Sequence, residues 1–189
     1  MRLELLAKQV TDNFDNRFSD FQTAYRKRYS CETALIMLIE NWRSALDKGE
    51  LVGVLSTDMS KAFDSMYYPL MQAKLAYGTG DHSLDLIRSY FTNRFGRVKL
   101  GNSTSSWKQV TRGCPQGSAF GPLLYWNLFQ NDLTFAIKSN ICMYADNHQF
   151  YDTHKKVSVV QRNLQGCAIE ATPWYDENLL KGNFKIYGR

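Results

Sequence analysis

Two aspartates, Asp58 and Asp146, carry the most specific chemistry this sequence offers. Each closes a short apolar run, LVGVLSTD ending on Asp58 and ICMYAD ending on Asp146. Taken singly, an acid at a strand tip is as readily a turn former. Taken together they suggest more, because each strand would present its carboxylate at the rim of a sheet. If the strands are neighbours, two such anions tolerate each other only with a cation between them. A hard divalent ion such as Mg²⁺ takes one or two carboxylates and completes its shell with substrate phosphates. Two such ions about 3.5–4 Å apart stabilise the entering and leaving oxygens of a phosphoryl transfer. Asn147 follows Asp146 and offers an amide oxygen, a ligand without charge.

The elements that must position these residues alternate helical and β-type patterns. Residues 31–47 (CETALIMLIENWRSALD) predict the clearest helix, with Ser30 as N-cap, Gly49 past its end, and Leu35, Leu38, Ile39, Trp42 and Leu46 on one face. LVGVLSTD (51–58) reads as a buried strand; Pro69 opens a helix ending near Gly78, and residues 83–94 supply another. GRVKLGNSTSSWKQV is β-type with a turn at Gly101-Asn102. Residues 113–118 form a tight loop, and Pro122 opens a helix to about Asp132. ICMYAD and HQFYD predict a hairpin with Asp146-Asn147 at its tip. A long helix from about Val157 to Leu180 is broken or kinked by Pro173, and FKIY begins a last strand. This order fits an α+β layer better than a doubly wound parallel sheet. Neither GxGxxG nor GxxxxGK[ST] occurs, which argues against dinucleotide and P-loop sites.

The chain of 189 residues, 44% hydrophobic, is enough for one domain with a core. A net charge of +5 is compatible with a polyanionic partner without demanding one. The basic residues cluster at Arg26-Lys27-Arg28, at Arg94, Arg97, Lys99, Lys108 and Arg112, and at Lys155-Lys156; each cluster alone reads as a solvated face. The aromatic residues, 14% of the chain, read first as core and second as stacking surface for bases. Cysteines 31, 114, 142 and 167 form no CxxC pair, which points to free thiols in a reducing compartment. Cys142, His148 and His154 match no zinc-ligand spacing. No apolar stretch reaches the roughly 18 residues of a membrane span, and the N-terminus lacks the apolar run of a signal peptide.

Three stretches in order, STDMSKAFDSM, TRGCPQGSAFGPLL with WNLFQNDL, and MYADNHQFY, resemble the reverse transcriptase domain of non-LTR (LINE-like) retrotransposons. YRKRYSCETAL, SYFTNRFGRVKLGNSTSSW and WYDENLLKGNFK resemble the same family, so the likeness runs from about residue 20 to the C-terminus. It implies an α+β right-hand polymerase fold, fingers and palm with the thumb missing, and an antiparallel palm sheet packed on helices. About 1–50 and 80–112 would be fingers-like, and about 51–79 and 113–189 palm-like. It implies Asp58, Asp146 and Asn147 as the catalytic set, with Asp58 and Asp146 binding metal: Mg²⁺, or Mn²⁺ as the alternative. Phe63 would lie under the incoming sugar and reject a 2′-hydroxyl, while Asp64 would be structural. Gln116 and Gly117 would pack against nucleotide and template, Arg26 with its neighbour Lys27 would contact the triphosphate, and Lys185 or Ile186 would fall at the lysine that protonates pyrophosphate. The implied partners are an RNA template, a DNA primer and deoxynucleoside triphosphates.

The sequence departs from the family pattern in three places. Asn147 stands where the family has a second aspartate, which predicts weak or absent turnover. Tyr125-Trp126 contains one residue more than the family's spacing, and the thumb is expected beyond Arg189. A catalytically inactive nucleic-acid-binding remnant is the alternative reading.

Overall fold

A computed structural model describes residues 5, 8–9, 11–12, 14–59, 61–76, 80–114, 121 and 127–188. The expectations for Gln116, Gly117 and Tyr125-Trp126 lie outside the described residues. After a short 3₁₀ turn at Asp15–Arg17, the first long helix is α1 (Cys31–Asp47). Ser30 caps it as expected: the Thr33 amide donates to Ser30 Oγ at 3.2 Å, and the Ser30 amide donates to Thr33 Oγ1 at 2.8 Å. Gly49, at φ +70°, turns the chain out of the helix.

Strand β1 (Leu51–Met59) leads to a one-turn helix α2 (Ala62–Ser65), then to α3 (Tyr68–Ala76) and α4 (Asp81–Phe91). Four two-residue strands follow, β2 (Phe95–Gly96), β3 (Lys99–Leu100), β4 (Ser103–Thr104) and β5 (Lys108–Gln109). The chain continues with α5 (Leu133–Ala136), β6 (Asn140–Tyr144), β7 (Asn147–His154), α6 (Val157–Glu177) and β8 (Gly182–Gly188). Helix α6 runs through Pro173. Its missing N–H deprives the Ile169 carbonyl of a donor, and Ile169 lies on the exposed side where water can replace it.

The main sheet has the order β6-β7-β1-β8, every pair antiparallel. The family resemblance implied such a sheet packed on helices. Alternation along β1 sends Gly53, Leu55, Thr57 and Met59 inward to a buried face. Helix α6 covers that face with Val160, Leu164, Cys167, Ala171, Trp174 and Tyr175, all buried. Gly53 allows the close approach: a Cβ there would collide with the side chains of Val160 and Leu164.

Helix α1 lies on the opposite face. Its contact runs through Ala34, Leu38, Cys142 and Tyr151, with Met37, Trp42, Val54 and Tyr144 partly buried around them. The predicted stripe is therefore only half covered: Leu38 is buried, but Leu35, Ile39 and Leu46 remain largely exposed. The helix seats on the sheet through Ala34 and Leu38 with Met37 and Trp42 beside them, which leaves Leu35, Ile39 and Leu46 on its flank.

Candidate active site

The register of the sheet brings the two distant acids together. Asp58 pairs directly with Asn147 across β1 and β7, and Asn147 pairs with Tyr144 across β6 and β7. That closes a two-residue hairpin whose tip is Ala145-Asp146, one residue earlier than the sequence predicts. Asp58 and Asn147 are both exposed, and directly opposed residues point to the same face, here the α1 face. Asp146, half-buried, sits immediately beside them at the tip.

The turn itself is strained. Ala145 adopts φ +51°, whereas Asp146 has a negative φ, the sign pattern of a type II′ hairpin turn that ordinarily takes glycine first. A left-handed alanine costs roughly 1–2 kcal/mol. The surroundings hold it. The Thr23 amide and hydroxyl both donate to the Met143 carbonyl at 3.0 Å, and the Met143 amide donates to the Phe21 carbonyl at 2.8 Å. Residues 21–23 thus brace the outer edge of β6. Tyr25, also at positive φ, stands close enough to Asp146 to feel its charge: burial first, then Asp146, raises the phenol's pKa. No motif marks Tyr25, although it precedes Arg26 in the YRKRY stretch.

Behind the acids, on the α6 face, runs a buried polar chain that the sequence does not reveal. Gln130 Oε1 can only accept, so His148 Nε2–H donates to it at 2.9 Å. His148 Nδ1 then accepts from the Tyr175 hydroxyl at 2.6 Å, whose oxygen accepts from Thr57 Oγ1 at 3.3 Å. Thr57 and His148 pair across the strands, one residue before Asp58 and one after Asn147. Burial pulls the His148 pKa down to about 3, so the imidazole is neutral. Burial likewise raises Tyr175, fixing it as a phenol.

Phe63 lies in α2, directly after the Asp58 strand, and is half-buried against the core. The loop carrying Gly113 and Cys114 packs on it backbone to backbone. The Cys114 amide donates to the Phe63 carbonyl at 2.6 Å, the Gly113 amide to the Met66 carbonyl at 2.9 Å, and the Tyr68 hydroxyl to the Gly113 carbonyl at 2.8 Å. Gly113 has φ +86°, and a Cβ there would stand 3.1 Å from the Asp64 backbone, so only glycine fits without displacement. Asp64 is exposed beside this junction.

Arg26 is a correction. Its side chain is only 5% exposed, and its guanidinium is committed to the protein itself. Nε meets Asp15 Oδ1 at 3.1 Å, Nη1 donates to the Ser19 and Gln22 carbonyls at 2.8 and 3.1 Å, and Nη2 donates to the Asp15 carbonyl at 3.2 Å. The ring of Tyr29 covers its plane at 4.4 Å. A fork with four of its five N–H donors so occupied holds the 15–29 segment in shape. Lys27 and Arg28 are exposed. At the far side of the site, Lys185 pairs with Ser56 and so shares the face of Asp58, while Ile186 pairs with inward-facing Leu55. The register therefore puts Lys185, and not Ile186, on the face of the sheet that carries Asp58.

Residues 2–177 match the family model described as reverse transcriptase (RNA-dependent DNA polymerase). The chain belongs to this reverse transcriptase family. It is 26% identical to the probable RNA-directed DNA polymerase from transposon BS of Drosophila melanogaster, over 95% of this chain and 21% of that protein. It is 28% identical to the RNA-directed DNA polymerase from mobile element jockey of Drosophila funebris, over 84% of this chain and 17% of that protein. These relatives come from non-LTR retrotransposons, and the chain spans about a fifth of their length. Among solved structures, telomerase from Candida albicans in complex with a TWJ fragment of telomeric RNA superposes with a TM-score of 0.62 at 15% identity, covering 98% of this chain and 33% of that one. The likeness establishes the fold: the antiparallel sheet and its helices are those of reverse transcriptase fingers and palm.

Reverse transcriptases use divalent metal ions. The residues present fit one: Asp58 and Asp146 supply hard carboxylate oxygens at one sheet edge, and Asn147 adds an amide oxygen beside them. Among the described residues no three His, Cys, Asp or Glu side chains converge on a common point. This donor set suits an ion that takes part of its shell from substrate phosphates.

Proposed function

We propose that this chain is the fingers-and-palm part of an RNA-directed DNA polymerase that extends a DNA primer on an RNA template with deoxynucleoside triphosphates. The observation that carries the reading is the pairing of Asp58 with Asn147, which gathers both aspartates at one exposed edge. Asp58 and Asp146 would hold Mg²⁺, which supplies charge stabilisation to the transferring phosphoryl group. Phe63, in the helix that follows the Asp58 strand and tied through its carbonyl to Cys114, would exclude a 2′-hydroxyl by its bulk. Gln116 and Gly117 would line the nucleotide, Lys27 would neutralise the triphosphate in place of the buried Arg26, and Lys185 would give a proton to the leaving pyrophosphate. Residues about 1–50 and 80–112 would act as fingers, and about 51–79 and 113–189 as palm.

Asn147 sets the rate. An amide in place of a carboxylate removes one negative charge from the metal edge, where a unit pair at about 4 Å is worth roughly 4 kcal/mol gross at an effective dielectric of 20. Half of that, after solvent screening, is about 30-fold in rate, since each 1.36 kcal/mol is tenfold. Primer extension on an RNA template should therefore be weak for this chain and rise at least about 30-fold in Asn147→Asp. Equal, robust extension by both proteins would refute the assignment of Asn147 as the defect. The second reading, a catalytically inactive nucleic-acid-binding remnant, is favoured by the same asparagine; it is supported if Asn147→Asp restores no extension while RNA binding persists.

A further inference from the structure

Between Asp85 and Asp132 there is no acidic residue, and six basic ones, Arg88, Arg94, Arg97, Lys99, Lys108 and Arg112, lie in that interval. The interval thus carries more positive charge than the +5 of the whole chain. Most of it sits on an arm. Strands β2 and β5 pair at its base and β3 and β4 near its tip, and residues 97–112 are all exposed. Leu100 and Trp107 are 82% and 60% exposed. With no core of its own, the arm gains little from folding beyond its short ladders.

Its cations are pre-organised. Arg97 lies over the Trp107 ring at 4.6 Å, Arg94 over Tyr90 at 5.1 Å, and Arg112 over Tyr67 at 5.3 Å. A ring contact restrains a guanidinium without using up its N–H donors, which remain for phosphate. The base of the arm is the Arg112-Gly113 junction already tied to Phe63 and Met66, so the basic track leads directly to the proposed site.

We infer that this arm docks single-stranded RNA, the template as it approaches the site, with phosphates on Arg94, Arg97, Lys99 and Lys108 and an unpaired base on the open part of the Trp107 ring. The inference rests on the polymerase reading, because in RNA-directed synthesis the strand ahead of the site is unpaired RNA. Charge decides for a polyanion over a protein partner: exposed apolar side chains alone would suit either, but an acid-free row of cations suits phosphates. The ring adds what an unpaired strand uniquely offers, the face of a base.

The test is anisotropy of a labelled oligouridylate against the whole chain across a salt series. Arg97→Ala/Lys99→Ala/Lys108→Ala should make the slope of log K against log salt shallower by about 2, from three lost contacts at about 0.7 each. Trp107→Ala should weaken binding roughly tenfold with the slope unchanged. Lys155→Ala/Lys156→Ala, at the end of β7 away from Asn147, should alter neither. Duplex RNA, whose base faces are stacked away, should bind more weakly than oligouridylate. The inference is overturned if the arm variants keep native slope and affinity, if duplex RNA binds as tightly, if the native chain binds no oligouridylate, or if the variants change only self-association in sedimentation. Primer extension by Asn147→Asp reads the polymerase assignment separately: extension that survives loss of the arm's cations, with RNA affinity unchanged, would remove the arm and leave the polymerase standing.

Discussion

Acid should destabilise this fold through His148 before its carboxylates titrate. The ring is fully buried, donates from Nε2 to Gln130 and accepts at Nδ1 from Tyr175, and has a pKa of about 3. In the unfolded chain the same group titrates near 6.5. As pH falls the unfolded state binds the proton first, so this contribution is fully present above about pH 6.5 and is lost progressively toward pH 3. At pH 5 the unfolded ring has gained about 1.5 pH units of protonation, or roughly 2 kcal/mol at 1.36 kcal/mol per unit. The figure depends little on the folded value, provided that it stays well below 5. For a chain of this size, about 2 kcal/mol lowers Tm by roughly 4–8 °C. The assay is thermal unfolding at pH 7.5 and pH 5.0 for the native chain and for His148→Gln, which cannot titrate. The native chain should lose about 2 kcal/mol more than the variant between the two pH values. Identical losses, or an imidazole resonance that titrates near pH 6 in the folded protein, would refute the reasoning.

Three further outcomes follow from the packing. Gly53→Ala forces a methyl into Val160 and Leu164 and should cost about 1–3 kcal/mol, seen as a lower urea midpoint. Arg26→Gln should cost about 2–4 kcal/mol by removing charge-assisted bonds to Asp15, Ser19 and Gln22, while leaving the nucleotide KM of Asn147→Asp unchanged; a raised KM with native stability would return Arg26 to the triphosphate. Gly113→Ala, strained at φ +86° and crowded by Asp64, should lower both Tm and discrimination between deoxy- and ribonucleotides, measured in the Asn147→Asp background. Retained discrimination would separate Phe63 from its anchor.

The two aspartates were legible because each ends an apolar run, and strands bury such runs up to their rims. The turn between the strands was misplaced by one residue for an equally physical reason. Propensity favours Asp-Asn at a hairpin tip, but the chain holds Ala145 in a left-handed conformation that local preference opposes and tertiary bonds to Met143 enforce. Composition alone gave only a solvated basic cluster, and the family resemblance implied the triphosphate role of Arg26. Its real partners include three backbone carbonyls, which have no sequence signature. The His148–Tyr175 pair spans β7 and α6 with no motif to announce it, and only the register of Thr57 opposite His148 completes the chain. Helix α1 was found with its cap and its stop, yet which of its faces is covered depended on where the sheet's small and large residues met it.

The brace between residues 21–23 and β6 has a mechanical corollary. Phe21 and Thr23 hold the amide and the carbonyl of Met143 from one side, and Met143 is three residues from Asp146 along a strand that hardly stretches. A displacement of residues 21–23 would therefore be passed along backbone to the turn that carries Asp146. The link runs through the two peptide units that flank the Met143 Cα.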